Sequence, residues 1–171
     1  AVAAGDINSD GYDDLILGDQ HYWYGSTSDL DFQAGRVLVY FGSKYGLETR
    51  PRTVLEGAHA RAKFGAAASF VGDVNGDGFG DILVGAAGQL GQLPDPMVLE
   101  DGTVDEDMKY VHGQVSLYLG TAYGVQSKPY WTRLDDAWGH DDFALTAGDL
   151  NKDGYVDLVI GLPKKNVTLV D

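Results

Sequence analysis

A nine-residue pattern, Asp-x-Asn-x-Asp-Gly-x-x-Asp, occurs three times in this chain. The copies begin at residues 6, 73 and 149, and each is followed by a short apolar run that ends in glycine. A second segment repeats between them, because residues 35–43 align with residues 113–121 without gaps. Recurrence at such intervals is typical of folds in which one supersecondary unit is repeated and stacked. The chain is therefore expected to consist of a few similar units.

Each unit is predicted to be a set of short strands. In residues 113–119 the apolar side chains of Val115, Leu117 and Leu119 recur at every second position, which is the period of a strand with one buried face. Glycine makes up 24 of the 171 residues, which favours tight turns over long helices. Four strands per unit, with turns between them, predict an all-β fold of four-stranded antiparallel propeller blades. Further strands are predicted at residues 64–71, 81–86, 130–134 and 166–170.

The repeat spacing predicts two nearly whole blades and a partial third within one propeller domain. We place blade 1 at about 1–57, blade 2 at about 58–136 and the partial blade 3 at about 137–171. Closed propellers typically have about 4 to 8 blades, so these blades are expected to belong to a ring completed by the same or another chain. The apolar run at residues 15–17 does not alternate, which predicts a strand covered on both faces by neighbouring blades.

The three nine-residue segments, here called acidic loop 1 (residues 6–14), acidic loop 2 (73–81) and acidic loop 3 (149–157), are predicted to bind calcium. Positions 1, 3, 5 and 9 carry side-chain oxygens, position 6 is a glycine that permits a sharp turn, and position 7 supplies a backbone carbonyl. Hard oxygen ligands without His or Cys favour Ca²⁺ over Zn²⁺ or Cu²⁺. The predicted ligands of the three Ca²⁺ sites are Asp6, Asn8, Asp10, Tyr12, Asp14, Asp73, Asn75, Asp77, Phe79, Asp81, Asp149, Asn151, Asp153, Tyr155 and Asp157.

The acidic loops are not EF-hands, because position 12 is Leu17, Val84 or Ile160 where an EF-hand has Glu. The alternative interpretation is that Asp, Asn and Gly only form hairpin turns; three copies in register favour calcium. The carboxylates of each loop would repel one another without a cation, so binding is expected to couple to folding. Lys152 places a positive charge in acidic loop 3, and that site is expected to be the weakest.

The charge balance restricts the partners. Lys and Arg number 12 and Asp and Glu number 26, which gives a net charge of −14 and argues against nucleic acid or anionic lipid as a partner. No apolar stretch approaches the roughly 20 residues of a membrane-spanning helix, so no membrane insertion is expected. The chain has no Cys and no G-x-S-x-G, P-loop or H-E-x-x-H motif, and we expect that it is not an enzyme.

With these loops and strands, the chain resembles the FG-GAP repeat of integrin α-subunit β-propellers and their bacterial relatives. Residues 64–65 (Phe-Gly) correspond to the FG and residues 85–87 (Gly-Ala-Ala) nearly to the GAP, with acidic loop 2 between them. The third repeat departs from the pattern, with Phe-Ala at residues 143–144 and Gly-Leu-Pro at residues 161–163. A Tyr-x-Gly-(Ser/Thr)-x-x-Gly-(Leu/Val) segment in each of the first two units, together with the absence of Cys, looks more like the bacterial exported type.

The resemblance implies a seven-bladed propeller, of which this chain contributes about two and a half blades, with calcium between the first and second strands of each blade. It also implies that ligands bind the opposite face, which here would hold residues 19–34 and 87–112. Aromatic side chains anchor contacts with proteins or sugars, or alternatively pack beneath their own loop. The acidic residues of the second segment indicate a solvated loop, a further cation or a basic partner. The candidates on the ligand face are His21, Tyr22, Trp23 and Tyr24.

These expectations indicate an extracellular or cell-surface, calcium-binding propeller segment that acts as a scaffold for cell adhesion or protein interaction, with calcium in a structural role. Its partners would be a protein or glycan ligand on the face opposite the acidic loops, and the remaining propeller blades in the same or another chain. Two alternatives stay open. One is a carbohydrate-binding or accessory propeller of a secreted enzyme, and the other is a structural subunit of a surface filament whose neighbours cover the open blade edges.

Overall fold

The computed structural model describes residues 1–23, 34–58, 62–92, 110–134, 144–161 and 168–170. Within these ranges the chain is all β, and it contains no helix that is long and apolar enough to cross a membrane. The strands are β1 Val2–Gly5, β2 Asp14–Asp19, β3 Arg36–Tyr40, β4 Thr53–Glu56, β5 Phe64–Gly72, β6 Asp81–Gln92, β7 Tyr110–Tyr118, β8 Gly120–Thr121, β9 Gly124–Val125, β10 Trp131–Leu134, β11 Ala144–Gly148, β12 Asp157–Gly161 and β13 Thr168–Val170.

In the described part of the chain, three antiparallel sheets of three or four strands follow one another. Sheet 1 has the strand order β1-β2-β3-β4, sheet 2 has the order β5-β6-β7-β10, and sheet 3 has the order β11-β12-β13. Strands β8 and β9 form a two-stranded ribbon between β7 and β10. Each sheet is a meander of sequential neighbours, which is how a propeller blade is built. The predicted all-β fold of four-stranded antiparallel blades is thus confirmed.

Strand pairing closes the three acidic loops at equivalent points. In each sheet the last pair between the first two strands joins the glycine before position 1 to the aspartate at position 9. The antiparallel partners are Gly5 and Asp14 in sheet 1, Gly72 and Asp81 in sheet 2, and Gly148 and Asp157 in sheet 3. Each acidic loop is therefore the connection of a hairpin, and position 9 is already part of the second strand.

The core lies between the sheets. One apolar cluster joins sheet 1 to sheet 2 and includes Ile16, Val39 and Val84. A second cluster joins sheet 2 to sheet 3 and includes Leu117 and Leu158. Because a single four-stranded sheet has no interior of its own, the stability of each sheet depends on burying a face against its neighbour.

The middle sheet shows why its second strand does not alternate in polarity. Ile82, Leu83 and Val84 are all fully buried, with Ile82 and Val84 in the first cluster and Leu83 in the second. The equivalent run at residues 15–17, for which cover on both faces is predicted, has only its central residue fully buried, whereas the flanking leucines are half-buried. Of the two sheets, sheet 2 alone has a described neighbour on each face.

Several strand bounds differ from the predicted ones. Strand β6 continues to Gln92 instead of ending at residue 86, β7 begins at Tyr110 instead of 113, and β13 begins at Thr168 instead of 166. The β6–β7 pairing passes through register shifts on both sides of Gln89, and bulges of this kind let a hairpin extend past residues that cannot keep a regular ladder. The blade boundaries near residues 57 and 136 stay a prediction.

Candidate metal centres

The oxygen side chains of acidic loop 1 hold the loop in shape through hydrogen bonds to its own backbone. The two carboxylate oxygens of Asp6 accept bonds from the amides of Asp10, at 3.1 Å, and Gly11, at 2.9 Å. The Asn8 side-chain oxygen also accepts from the Asp10 amide, at 3.0 Å, and its Nδ2 donates to the Asp10 carboxylate, at 3.0 Å. Asp10 in turn accepts from the Tyr12 amide at 3.0 Å. Positions 1, 3 and 5 therefore turn their oxygens inward.

Acidic loops 2 and 3 repeat this arrangement bond for bond. In loop 2 Asp73 accepts from the amides of Asp77 and Gly78, and Asp77 accepts from the amide of Phe79. In loop 3 the corresponding bonds run from Asp153 and Gly154 to Asp149 and from Tyr155 to Asp153. The side-chain amides of Asn75 and Asn151 donate to the position 5 carboxylates at 2.9 and 2.8 Å. Three separate sequences thus adopt one conformation.

Two positions in each acidic loop have a left-handed backbone. At position 6 the φ angles of Gly11, Gly78 and Gly154 are 88°, 90° and 91°, a region that glycine enters without steric cost. At position 4 the φ angles are 58° for Ser9, 75° for Gly76 and 63° for Lys152. The second left-handed position is not evident from the sequence, because only one of its three occupants is glycine. The residues concerned are the position 4 residues Ser9, Gly76 and Lys152 and the position 6 residues Gly11, Gly78 and Gly154.

The position 9 aspartates have a role that the sequence does not reveal. Asp14 is buried and accepts two backbone hydrogen bonds, from Ile7 at 2.9 Å and from Gly42 at 2.8 Å. Asp81 is fully buried and accepts equivalent bonds from Val74 at 2.9 Å and from Gly120 at 2.8 Å. Each carboxylate therefore ties its acidic loop to the segment that follows the third strand of the same sheet.

Asp157 makes the first of these bonds and lies in the same buried setting. It accepts from the Leu150 amide at 2.7 Å and is 3% exposed. The glycines that donate the second bond, Gly42 and Gly120, lie in the Tyr-x-Gly segments of the first two units. A β-carbon on Gly42 or Gly120 would collide with the carbonyl oxygen of the residue before the buried aspartate, Asp13 or Gly80, which explains the repeated glycine.

Burial and charge crowding act together on two of these carboxyl groups. Burial raises the pKa of Asp14 above its usual range; the amides of Gly42 and Ile7 oppose this, and the nearby charges of Asp10 and Asp6 add to it. The pKa of Asp81 is raised by the same causes, with Asp77 and Asp73 as the neighbouring charges. The carboxylates at positions 1, 5 and 9 are therefore close enough to repel one another.

The donor chemistry of each loop fits a hard cation. At the predicted ligand positions every loop offers three carboxylates and one amide oxygen, and these carboxylates retain acceptor capacity beyond the backbone bonds described above. In the part of the chain that the structure describes, no group of three or more His, Cys, Asp or Glu side chains is arranged as a metal-binding set. The ligand sets, including the carbonyls of Tyr12, Phe79 and Tyr155, stay a prediction.

The predicted ligand-face residues lie at the opposite end of sheet 1, after β2. Tyr22 packs its ring against the Arg36 guanidinium, 3.7 Å from the ring centroid, and its carbonyl accepts a bond from the Gly35 amide at 3.0 Å. His21 is exposed, and Trp23 is 37% exposed. Tyr24 and most of residues 87–112, including the acidic stretch, lie outside the described residues. Of the two described candidates Tyr22 and Trp23, Trp23 is the more exposed.

Comparison with known proteins agrees with the hairpin pattern. The FG-GAP repeat family matches residues 64–93, which begin at the first residue of β5 and end just after β6. Integrin alpha-5 of Xenopus laevis is 33% identical to the chain over 178 residues, which cover 99% of the chain and 15% of that protein. Integrin alpha pat-2 of Caenorhabditis briggsae is 34% identical over 95% of the chain and 12% of that protein.

The similarity extends beyond integrins. Phosphatidylinositol-glycan-specific phospholipase D of Rattus norvegicus is 31% identical over 95% of the chain and 18% of that protein. The chain thus spans less than a fifth of the length of each of these three relatives. Residues 64–93 in sheet 2 thus match the FG-GAP repeat, and nearly the whole chain is similar to integrin α subunits.

Proposed function

We propose that the chain is part of an extracellular or cell-surface β-propeller, stabilised by three structural Ca²⁺ ions, that acts as a scaffold for adhesion or protein interaction. The observation that carries the proposal is the set of hydrogen bonds that the three acidic loops share, each with its oxygen side chains turned inward. A simple hairpin turn does not require acidic side chains. Each of these loops places three carboxylates close together, and a bound divalent cation would remove the repulsion between them.

The proposed role of calcium is structural because the protein supplies most of the donors. Each loop would contribute oxygens from positions 1, 3, 5, 7 and 9, which leaves little of a six- to eight-oxygen shell for a reacting water. The position 9 carboxylate is buried in all three loops. Calcium would therefore rigidify the first hairpin of each blade, and with it the face through which neighbouring sheets pack.

Further blades are the first class of partner that we propose. In acidic loops 1 and 2 the residue at position 2 faces the next sheet: Ile7 is fully buried in the cluster between sheets 1 and 2, and Val74 packs against the cluster between sheets 2 and 3. The equivalent Leu150 is 59% exposed. On the outward face of sheet 1, Val54 is 45% exposed. Both faces suit a further blade in the same or another chain.

A protein or glycan that binds the end of the sheets opposite the acidic loops is the second class of partner. Trp23 is the proposed anchor, because it combines partial exposure with a backbone position next to the ordered Tyr22–Arg36 stack. Trp23→Ala is expected to abolish binding on a protein or glycan array. Tyr45→Ala is the matched control, since Tyr45 is 87% exposed in the β3–β4 turn at the acidic-loop end; equal loss in both variants would contradict the assignment.

The calcium proposal is tested by thermal unfolding of the full chain in millimolar CaCl₂ and in EDTA. A site held at about 100 times its Kd stabilises the folded state by about 2.7 kcal/mol, so chelation is expected to lower Tm by several degrees. Asp10→Asn is expected to shrink the calcium-dependent rise in Tm. Asp13→Asn removes the same charge from an exposed neighbour outside the predicted ligand set and is expected to leave the rise intact. If EDTA leaves Tm unchanged, the proposal that Ca²⁺ stabilises the propeller is wrong.

The similarity to phospholipase D supports a second candidate, an accessory propeller of a secreted enzyme. The rat phospholipase D is about as similar to this chain as the integrins are. Under this proposal the propeller itself carries no catalytic group, and the activity resides in another part of the full-length protein. Hydrolysis of phosphatidylinositol-glycan substrates by the full-length protein would favour this candidate, and its absence together with specific binding to a protein would favour the adhesion scaffold.

A further inference from the structure

Acidic loops 1 and 2 touch each other directly. The Gly80 amide donates a hydrogen bond to the Ile7 carbonyl at 2.9 Å, and the Ser9 hydroxyl donates one to the Gly78 carbonyl. Ile7 and Ser9 occupy positions 2 and 4 of loop 1, while Gly78 and Gly80 occupy positions 6 and 8 of loop 2. Two bonds therefore join two predicted cation sites that lie in different sheets.

These bonds continue into the groups that hold each loop in place. The same Ile7 residue that accepts from Gly80 donates its amide to the buried Asp14 carboxylate at 2.9 Å. On the other side Gly80 directly precedes Asp81, which accepts from Val74 and Gly120. The ends of both loops are thus part of one hydrogen-bonded path from Asp14 to Asp81.

Acidic loops 2 and 3 lack this connection. Position 4 of loop 2 is Gly76, which has no hydroxyl to donate, and position 8 of loop 3 is Val156 where loop 2 has Gly80. Among the described residues, which include both of these loops in full, no hydrogen bond links loop 2 to loop 3. The two loop pairs therefore differ in residue type at two of the positions that join loops 1 and 2.

We infer that calcium binding at acidic loop 1 and at acidic loop 2 is positively cooperative through the Ser9–Gly78 and Ile7–Gly80 contacts, whereas acidic loop 3 binds independently. This inference rests on the calcium sites of the proposed function. A cation that orders loop 1 fixes Ile7 and Ser9, and thereby lowers the entropic cost of ordering loop 2. Three carboxylates and one Ca²⁺ leave a loaded loop with net negative charge, so it does not repel the second cation.

The test follows each loop separately by its position 6 amide. Gly11, Gly78 and Gly154 each donate to the position 1 carboxylate of their own loop, so their ¹⁵N–¹H signals in the ¹⁵N-glycine-labelled full chain report the three sites during a CaCl₂ titration. Asp10→Asn weakens calcium binding at loop 1. It is expected to raise the calcium concentration at the midpoint of the Gly78 titration about fivefold, which is within the usual range of allosteric coupling, and to leave the Gly154 midpoint unchanged.

Two further variants locate the coupling. Ser9→Gly removes the hydroxyl and keeps a residue that accepts the left-handed backbone, as Gly76 does in loop 2; in this background the effect of Asp10→Asn on Gly78 is expected to shrink. Asp153→Asn in loop 3 is the matched control. It is expected to raise the calcium midpoint at Gly154 and to leave the midpoints at Gly11 and Gly78 unchanged. Because coupling is reciprocal, Asp77→Asn in loop 2 is expected to raise the calcium midpoint at Gly11 in turn.

The outcomes separate this inference from the proposal on which it rests. Suppose that all three glycine signals respond to calcium, but that Asp10→Asn leaves the Gly78 midpoint unchanged or that Asp153→Asn shifts it by the same amount. The proposed coupling is then wrong, whereas the calcium sites are retained. If Asp10→Asn shifts the Gly78 midpoint as much in the Ser9→Gly background as in the wild type, the Ser9–Gly78 contact does not carry the coupling. If no glycine signal responds to calcium, the calcium sites themselves fail, and the coupling with them.

Discussion

Gly18 in sheet 1 and Gly65 in sheet 2 meet backbone against backbone. A β-carbon on Gly18 would collide with the carbonyl oxygen of Gly65 and lie 3.0 Å from its carbonyl carbon, and a β-carbon on Gly65 would lie 3.1 Å from the α-carbon of Gly18. Gly65 also has a φ angle of 82°. Gly18 occupies the first GAP position of its repeat and Gly65 is the glycine of the FG. In this protein the two glycines of the family motif are therefore a point at which adjacent blades come into backbone contact.

Replacement of Gly18 by alanine is expected to destabilise the protein, because the neighbouring atoms are backbone and cannot move aside as a side chain would. Overpacking of this kind typically costs about 1–3 kcal/mol. The measurement is the free energy of unfolding by urea at fixed calcium. Gly148→Ala is the matched control, since a β-carbon at Gly148 meets nothing within 4 Å and its φ angle lies outside the left-handed region. Equal losses in the two variants would mean that the contact between the sheets is not the cause.

Replacement of Asp14 by asparagine is expected to destabilise the fold even when calcium is absent. The substituted side chain would keep one acceptor oxygen and present an NH₂ group to a backbone amide that also needs an acceptor. One buried unsatisfied amide costs about 1–3 kcal/mol. The loss is measured by denaturant unfolding in EDTA, and Asp13→Asn, an exposed change of the same kind, is expected to have little effect. If the Asp14→Asn protein is as stable as the wild type in EDTA, the hydrogen bonds of Asp14 do not stabilise the fold, and only its proposed role as a cation ligand remains.

Replacement of Lys152 by serine is expected to strengthen calcium binding at acidic loop 3. Lys152 has a φ angle of 63°, close to the 58° of Ser9 at the same position of loop 1, so serine fits the backbone there. Removal of one exposed positive charge is expected to lower the Kd about fivefold, which corresponds to roughly 1 kcal/mol. The shift is followed at the Gly154 amide, with Lys128→Ser, an exposed change outside the loops, as control. A weaker loop 3 in Lys152→Ser would contradict the electrostatic argument.

Replacement of Thr53 by valine is expected to loosen the joint between sheet 1 and the β8–β9 ribbon. The Thr53 hydroxyl accepts a hydrogen bond from the amide of Val125 at 3.2 Å, and Val125 belongs to the cluster between sheets 1 and 2. Loss of this bond is expected to cost about 0.5–1.5 kcal/mol in the free energy of unfolding. Thr49→Val, at an exposed position, supplies the comparison; the prediction fails if both variants lose the same amount.

The acidic loops show how far local sequence determines structure. The bonds that shape acidic loop 1, from the Gly11 amide to Asp6 and from the Tyr12 amide to Asp10, join residues at most five positions apart. Their geometry follows from the order of residues in one short segment, which is why the turn and the all-β hairpin pattern could be predicted. The period of two in Val115 and Leu117 predicts a buried strand face for the same reason.

Other features depend on partners that are distant in the sequence. Asp14 receives the amide of Gly42 from 28 residues away, and Ser9 reaches Gly78 from 69 residues away. The local sequence does not distinguish an aspartate that binds a cation from a buried aspartate that accepts backbone hydrogen bonds. The hydrogen bonds that Asp14 accepts from distant backbone amides could therefore not be predicted. The shifted register of the β6–β7 hairpin was also hidden, since bulges depend on the partner strand.

The amino-acid sequence by itself determined the repeated hairpins, the position of their acidic loops and the buried face of residues 113–119, because these depend on neighbours a few residues apart. Tertiary structure alone decided that acidic loops 1 and 2 are in contact, and that Gly18 and Gly65 lie against each other. These relationships arise only when one sheet packs on the next, since packing brings together backbone groups that the chain order keeps far apart.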